Sequence, residues 1–464
     1  MNTAIARPAD RDVRPGLSGL RLIPDNCDAF AARVLAARSA VRSLDLMYYL
    51  WHDDRTGRLM LDEVTRAADR GVRVRLLLDD INTRASENAY LALDSHPNIE
   101  LRLFNPTSAR NGNLLRWLEM AARLFALTRR MHNKAWIMDG KLAIVGGRNV
   151  GDAYFDAADT NFRDLDMLLI GPAVDQTAAI FEDFWAAAAT SPVRALNPDA
   201  TPVSRSDLPT GSDLGNELLT EVGKHGSIGE FIAADSIHWV NEVRVIADPP
   251  EKATGKKRRN WLTRELLPLI KSARQSLAIV SPYFIPGRNG TRILANLVRG
   301  GVDVAILTNS LAATDVAAAH GAYANYRRAL LRAGVRLFEL QPFHGKPNIS
   351  VFGSKGASLH TKAFVVDNKA GFVGSFNFDP RSVSLNAEMG VLFEDEALAA
   401  ELACIIHRER SPRTSYRLSL SGPRLTWEAR ANGRTRRLHR EPEAGFVRRL
   451  LAGIVRFLPI ESQL

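Results

Sequence analysis

A chain of 464 residues, 46% hydrophobic and 24% charged, is long enough for two or three globular domains and too apolar to be a disordered one. Its net charge of +10 points to a polyanionic partner, either nucleic acid or an anionic membrane surface. The two cysteines, Cys27 and Cys404, match no metal-ligand spacing and exclude a disulfide framework.

Residues 1–16 mix both charge signs without an apolar segment, so they read as a disordered lead rather than a signal peptide. No stretch reaches the roughly 20 apolar residues that cross a bilayer. The expectation is a soluble or peripheral protein at the cytoplasmic face of the cell membrane.

A first α/β unit is expected over residues 17–195. Short apolar runs, RLIPD (Arg21–Asp25), SLDLMYYLW (Ser43–Trp51), GVRVRLLLDD (Gly71–Asp80) and IELRLFNP (Ile99–Pro106), alternate with amphipathic helical stretches. Tyr48, Tyr49 and Trp51 read as core aromatics, with an active-site rim as the second reading. Next, NGNLLRWLEMAARLFALTRRMH (Asn111–His132) interleaves apolar residues with arginines and suits an interfacial helix. Then comes RMHNKAWIMDGKLAIVGGRN, with His132, Lys134, Asp139, Gly146 and Asn149, followed by FRDLD with Asp164 and Asp166.

A polar linker is expected over residues 196–235 and a second unit over 236–410. The second unit repeats the first. RVIAD (Arg244–Asp248), SLAIVSPYFIP (Ser276–Pro286), GVDVAILTNS (Gly301–Ser310) and VRLFEL (Val335–Leu340) echo the earlier runs in order. SLHTKAFVVDNKAGFVGSFN then places His360, Lys362, Asp367, Gly374 and Asn377 at a constant offset of 228 from the first motif. The segment EKATGKKRRN (Glu251–Asn260) reads as a solvated basic loop, His320 as a packed histidine or a substrate contact, and His52 and His344 as surface residues. Residues 411–464 form a tail with a hairpin signal at Asn432-Gly433 and an apolar-basic stretch, GFVRRLLAGIVRFLPI (Gly445–Ile460).

Residues two apart along a strand share a face, so each histidine projects with its lysine. Each half thus offers one imidazole, one ammonium and one amide. Related by a pseudo-twofold axis, the two sets make a site for a phosphodiester. Two lysines and two asparagines offset its charge, so neither a metal nor a cofactor is expected. One histidine attacks phosphorus and the other protonates the leaving oxygen. A nucleophilic histidine needs its other nitrogen held, and Asp164, Asp166 and Glu388 of LNAEMG are the available carboxylates.

HxKxxxxD followed by GGRN or GSFN, twice, resembles the phospholipase D superfamily over nearly the whole chain. The surrounding text, including YYLWHDDRTGR, GGRNVGDAYF, LTNSLAATDV and GSFNFDPRSVSLNAEMG, is similar to bacterial cardiolipin synthases. The likeness is greatest to the C type, which lacks N-terminal membrane helices. The resemblance implies tandem phospholipase D-like α/β/α sandwich domains with the active site at their interface. It also implies a phosphatidyl-histidine intermediate resolved by a lipid hydroxyl. His132 and His360 would be the catalytic pair, the first being the nucleophile by family precedent. Lys134, Lys362, Asn149 and Asn377 would hold phosphate oxygens, and Asp164 and Glu388 would orient the histidines. Asp139 and Asp367 enter the catalytic set as motif members, although their positions suit turns. Gly147 stands where the second copy has Ser375, so the halves are expected to divide their labour.

The implied substrates are phosphatidylglycerol and, as an alternative phosphatidyl donor, phosphatidylethanolamine, on an anionic membrane surface. A hydrolase or nuclease is the alternative. Against nucleic acid stands the scarcity of interleaved aromatic and basic residues, and a nuclease would need no lipid and would be strongly salt-sensitive. A non-catalytic membrane-binding protein is disfavoured by two intact motifs. No feature names a protein partner.

Overall fold

The apolar runs that recur in the two halves are strands, and they pair in the same order twice. The computed structural model describes residues 14–81, 87–106, 129–196, 216–233, 237–255, 261–342, 356–431 and 434–456. The first-half strands are β1 (Ser18–Ile23), β2 (Ser43–Tyr48), β3 (Arg73–Asp79), β4 (Ile99–Phe104), β5 (Ala135–Met138), β6 (Leu142–Gly146), β7 (Thr160–Arg163), β8 (Asp166–Ile170), β9 (Thr190–Pro192) and β10 (His238–Val240). The remainder are β11 (Glu242–Ala247), β12 (Ser276–Val280), β13 (Asp303–Asn309), β14 (Arg336–Leu340), β15 (Gly356–Leu359), β16 (Ala363–Val366), β17 (Ala370–Gly374), β18 (Met389–Glu394), β19 (Ser415–Ser421), β20 (Arg424–Ala431) and β21 (Arg434–Leu438).

One sheet runs β10-β1-β8-β6-β5-β2-β3-β4-β9, and the other runs β11-β18-β17-β16-β12-β13-β14-β19-β20-β21. Eight positions correspond from β1 to β9 and from β11 to β19, so each run matched in the sequence occupies the same place in its sheet. The central strands are buried along nearly their whole length, as strands covered on both faces must be. β2, β3 and β4 are mutually parallel, as are β12, β13 and β14.

Each sheet has an outer helical layer with its own core, around Phe30, Leu46 and Trp136 in the first half and Ile279, Tyr323 and Phe372 in the second. The inner faces share a third core. Met47, Ile137 and Met167 there meet Leu307, Val365 and Met389, with Phe181 and Leu402 from the helices Pro172–Trp185 and Glu396–Glu409. The halves therefore bury each other, and the motif strands β5 and β16 lie at that junction. Polar ties reinforce it: Gln176 accepts from Val245 N at 2.7 Å, and His238 pairs with Glu401 at 2.7 Å.

Residues 196–235, expected as a linker, contain the helices Asn216–Lys224 and Ile228–Ala233. Leu218, Val222, Ile228 and Phe231 pack into the first-half core, so this stretch walls that unit as well as leaving it. The tail adds β19, β20 and β21 to the second sheet, and β20 and β21 pair antiparallel across Asn432-Gly433, which themselves lie outside the described residues. Most of the Asn111–His132 stretch, the end of the basic segment 256–260, and His344 also lie outside them. Among the described residues no helix is long and apolar enough to cross a membrane.

Candidate active site

Each motif histidine stands just before its strand, anchored by backbone hydrogen bonds to the opposite half. His132 N donates to Ala387 O at 2.8 Å, and Ala387 N donates back to Arg130 O at 2.8 Å. His360 N donates to Arg163 O at 2.8 Å, where β15 and β7 form a small parallel ladder between the halves. These crossings carry the carboxylates with them. His132 Nδ1 donates to Glu388 Oε2 at 2.7 Å, and His360 Nδ1 donates to Asp164 Oδ2 at 2.5 Å. Each imidazole is oriented by a carboxylate from the other half.

All of these groups are buried, and burial sets their protonation. It pushes the His132 imidazole down to about 4 against the opposing pull of Glu388, and it lowers His360 as well. The His132 ring is then neutral near pH 7, with Nδ1–H on Glu388 and Nε2 carrying the lone pair. Burial raises the Glu388 and Asp164 carboxyls, but the facing histidines and lysines more than reverse this and hold both below the usual carboxylate range. Lys134 Nζ donates to His132 O at 2.6 Å, and Lys362 Nζ donates to His360 O. Burial lowers both ammonium groups, Lys362 to about 8. Each lysine also acts electrostatically on the other half's histidine, so the two motifs form one site.

Asn149 Oδ1 accepts from Leu50 N at 3.3 Å, and its amide donates to the Tyr154 hydroxyl at 2.8 Å. Asn377 is buried with its Oδ1 unpartnered. Asp139 and Asp367 require a correction: neither touches the site. Both lie seven positions beyond their histidine, on the order of 20 Å along an extended chain, with φ of 54° and 52° in the turn that follows the motif strand. Asp139 accepts from Val41 N, Arg42 N and Ser43 N, and Asp367 from Arg274 N, Gln275 N and Ser276 N. They pin the starts of β2 and β12. Asp166, the other carboxylate near the first motif, is taken by Arg33 at 2.8 Å and is also structural.

The Gly147/Ser375 difference follows from the carboxylates. A Cβ at Gly147 would lie 2.2 Å from Asp164 Oδ1, so only glycine leaves room for that side chain. Ser375 Oγ instead donates to Glu388 Oε2 at 2.6 Å, and Ser382 Oγ donates to Oε1 at 2.7 Å.

Several contacts lie beyond the motif reading. Asp79 accepts from Met131 N at 2.8 Å, and Asn309 accepts from Leu359 N at 2.8 Å, so equivalent strand ends brace the residue before each histidine. Their signal was the matched runs RLLLDD and AILTNS. Tyr49 packs its ring edge-on to His132 with centroids 4.9 Å apart, while Tyr154 and Phe162 flank His360 at 5.3 and 5.0 Å. Tyr48 and Trp51 are core, and His320 is a packed histidine beside Asn309 O. Lys252, in the segment expected to be a solvated loop, is buried against Asp248 at 2.7 Å and also donates to Ser382 O. It supports the shell around Glu388, which no spacing rule would identify.

The chain is similar to known proteins over both halves. The family model described as "Cardiolipin synthase, PLD-like domain" matches residues 35–185 and 266–410, once in each half. The chain is 41% identical over 460 residues to cardiolipin synthase C of Escherichia coli (strain K12), covering 96% of each chain. It is 26% identical over 385 residues to a Staphylococcus aureus (strain N315) cardiolipin synthase, covering 82% of this chain and 65% of that one. Among solved structures, phosphatidylserine synthase of Haemophilus influenzae Rd KW20 superposes with a TM-score of 0.59 at 15% identity, covering 87% of this chain and 89% of that one.

Proposed function

The chain belongs to the cardiolipin synthase family of phospholipase D-like phosphatidyltransferases, and from that membership we propose that it makes cardiolipin by transferring a phosphatidyl group to a hydroxyl of phosphatidylglycerol. The observation that carries this reading is the crossed pairing of two buried histidines with carboxylates from opposite halves. It supplies one nucleophile and one proton carrier at a single phosphorus.

In the first step His132 Nε2 attacks phosphorus, and the bond to the headgroup oxygen breaks as His360, entering the step as the imidazolium, gives that oxygen its Nε2 proton. His132, pushed down to about 4, has its lone pair available at neutral pH. In the second step His360 takes the proton from the acceptor hydroxyl, that oxygen attacks phosphorus, and the phosphorus–nitrogen bond breaks. Lys134 and Lys362 balance the charge on the non-bridging oxygens, Asn377 adds an amide, and Asn149 contributes the N–H not given to Tyr154. The acceptor arrives from the cytoplasmic leaflet.

The test is product analysis by mass spectrometry. Purified protein is given phosphatidylglycerol vesicles with and without phosphatidylethanolamine, beside a His132→Ala control. Cardiolipin formed only with intact His132 supports the reading, and the released glycerol or ethanolamine identifies the donor. Phosphatidic acid as the sole product replaces it with hydrolysis.

A further inference from the structure

Among the described residues nine large apolar side chains are exposed, and five of them, Phe446, Val447, Leu450, Leu451 and Ile454, lie on one helix of the tail. That helix, Phe446–Val455, has buried Ala452 on its other side. At about 100° per residue the five side chains fall within an arc of roughly 140°. The helix is seated firmly: its Ala452 packs over Gly321, where a Cβ would approach Ala452 O to 2.6 Å, so glycine is required for the close crossing. Arg448 donates to Thr314 O at 2.6 Å and also to the carbonyls of Leu311 and Ala312.

Those carbonyls belong to the loop that leaves β13 beside the active site. Asn309, at its start, braces Leu359 next to His360, and Asp315, near its end, accepts from the Tyr283 hydroxyl and acts electrostatically on Lys362. The apolar stripe is thus mounted at the catalytic end of the second sheet. Of the other exposed apolar residues, Val316 ends the same loop and Val383 follows the second motif, while Ile81 follows β3 and the Asp79 brace at the corresponding end of the first sheet. Val41 alone lies at the opposite end, beside the Asp139 turn. The helix and its C-cap expose Arg448, Arg449 and Arg456, and exposed Arg434, Arg436, Arg437 and Arg440 precede it in the chain.

We propose that the helix Phe446–Val455 is the docking surface for an anionic phospholipid bilayer and sets the active site against the membrane. The proposal rests on the phosphatidyltransferase reading for its choice of a lipid partner. A stripe of apolar side chains enters the acyl boundary while neighbouring arginines meet anionic headgroups, and the same contact presents phosphodiesters to the mouth between the histidines.

The test compares the wild type with a Leu450→Asp/Ile454→Asp double variant, and with Val447→Ser/Leu451→Ser as a milder second pair. Binding is read by sedimentation with vesicles of phosphatidylglycerol in phosphatidylcholine and with phosphatidylcholine alone. Transfer is read on the same vesicles and on dihexanoyl-phosphatidylglycerol kept below its micellar concentration. The wild type is expected to bind the anionic vesicles, and a folded variant to bind them at least about tenfold more weakly. Its vesicle turnover should drop in parallel while turnover of the monomeric lipid is unchanged. Wild-type vesicle binding by either folded variant overturns the docking surface and leaves the stripe to a protein partner. Absence of any transfer product from the wild type with both lipid forms would instead overturn the phosphatidyltransferase reading.

Discussion

Glu388 of the second half holds Nδ1 of His132 in the first at 2.7 Å, so neither half contains a complete acid–base unit. The carboxylate fixes the tautomer that leaves Nε2 free, and it stabilises the imidazolium when the ring carries a proton. Glu388→Gln should keep the fold and lower kcat/KM by about 10²- to 10⁴-fold, with Asp164→Asn doing the same through His360. The coupling is the specific claim. Added to His132→Ala, Glu388→Gln should cause little further loss, because the two act as a unit. Steady-state kinetics of the four proteins check this.

Gly147 and Ser375 occupy equivalent positions but cannot be exchanged. Gly147→Ser would drive a side chain into Asp164 and displace the partner of His360, so activity should fall at least about a hundredfold, with the loss mainly in kcat. Ser375→Gly removes one hydrogen bond to Glu388, a loss of about tenfold. Kinetics beside thermal melting would separate displacement of the carboxylate from general unfolding.

Much of this arrangement was legible in the sequence, because a strand of alternating faces and an exact internal repeat constrain each other. His132, Lys134, His360 and Lys362 could be placed from one strand period, and the matched upstream runs anticipated the order of both sheets. Which carboxylate serves which histidine was not legible, because the pairing crosses between halves and no spacing along the chain encodes a contact between them. Lys252 shows the same gap: a lysine in a basic run reads as solvated until Asp248 and the Ser382 carbonyl close around it. Asp139 and Asp367 show the reverse, motif members whose constancy across the repeat reflects turn geometry rather than chemistry.

For those two residues the expected phenotype is therefore structural. Asp139→Ala leaves three backbone N–H groups without their acceptor and should cost about 3 kcal/mol of stability. The melting temperature falls, while kcat of the remaining folded enzyme at low temperature stays near the wild-type value. A tenfold loss of kcat without a change in melting would assign Asp139 to the chemistry instead.

The pH dependence follows from burial. Lys362 is pushed down to about 8, so its charge is present below that pH and lost above it. The kcat/KM for a phosphodiester should decline as pH rises through about 8. Lys362→Arg keeps the charge and should move that limb upward, although the longer fork will lower the plateau. On the acid side His132 takes up a proton only near pH 4, so the nucleophile stays neutral through the range in which an ordinary histidine would be charged.

A phosphatidyl group carried on a histidine can be trapped. Enzyme mixed with phosphatidylglycerol is quenched within the first turnovers in alkaline denaturant, digested and read by mass spectrometry. A phosphatidyl adduct is expected on the peptide containing His132 and absent from His132→Ala. Wild-type turnover with no adduct on either motif peptide, or an adduct on a residue outside both motifs, would contradict it.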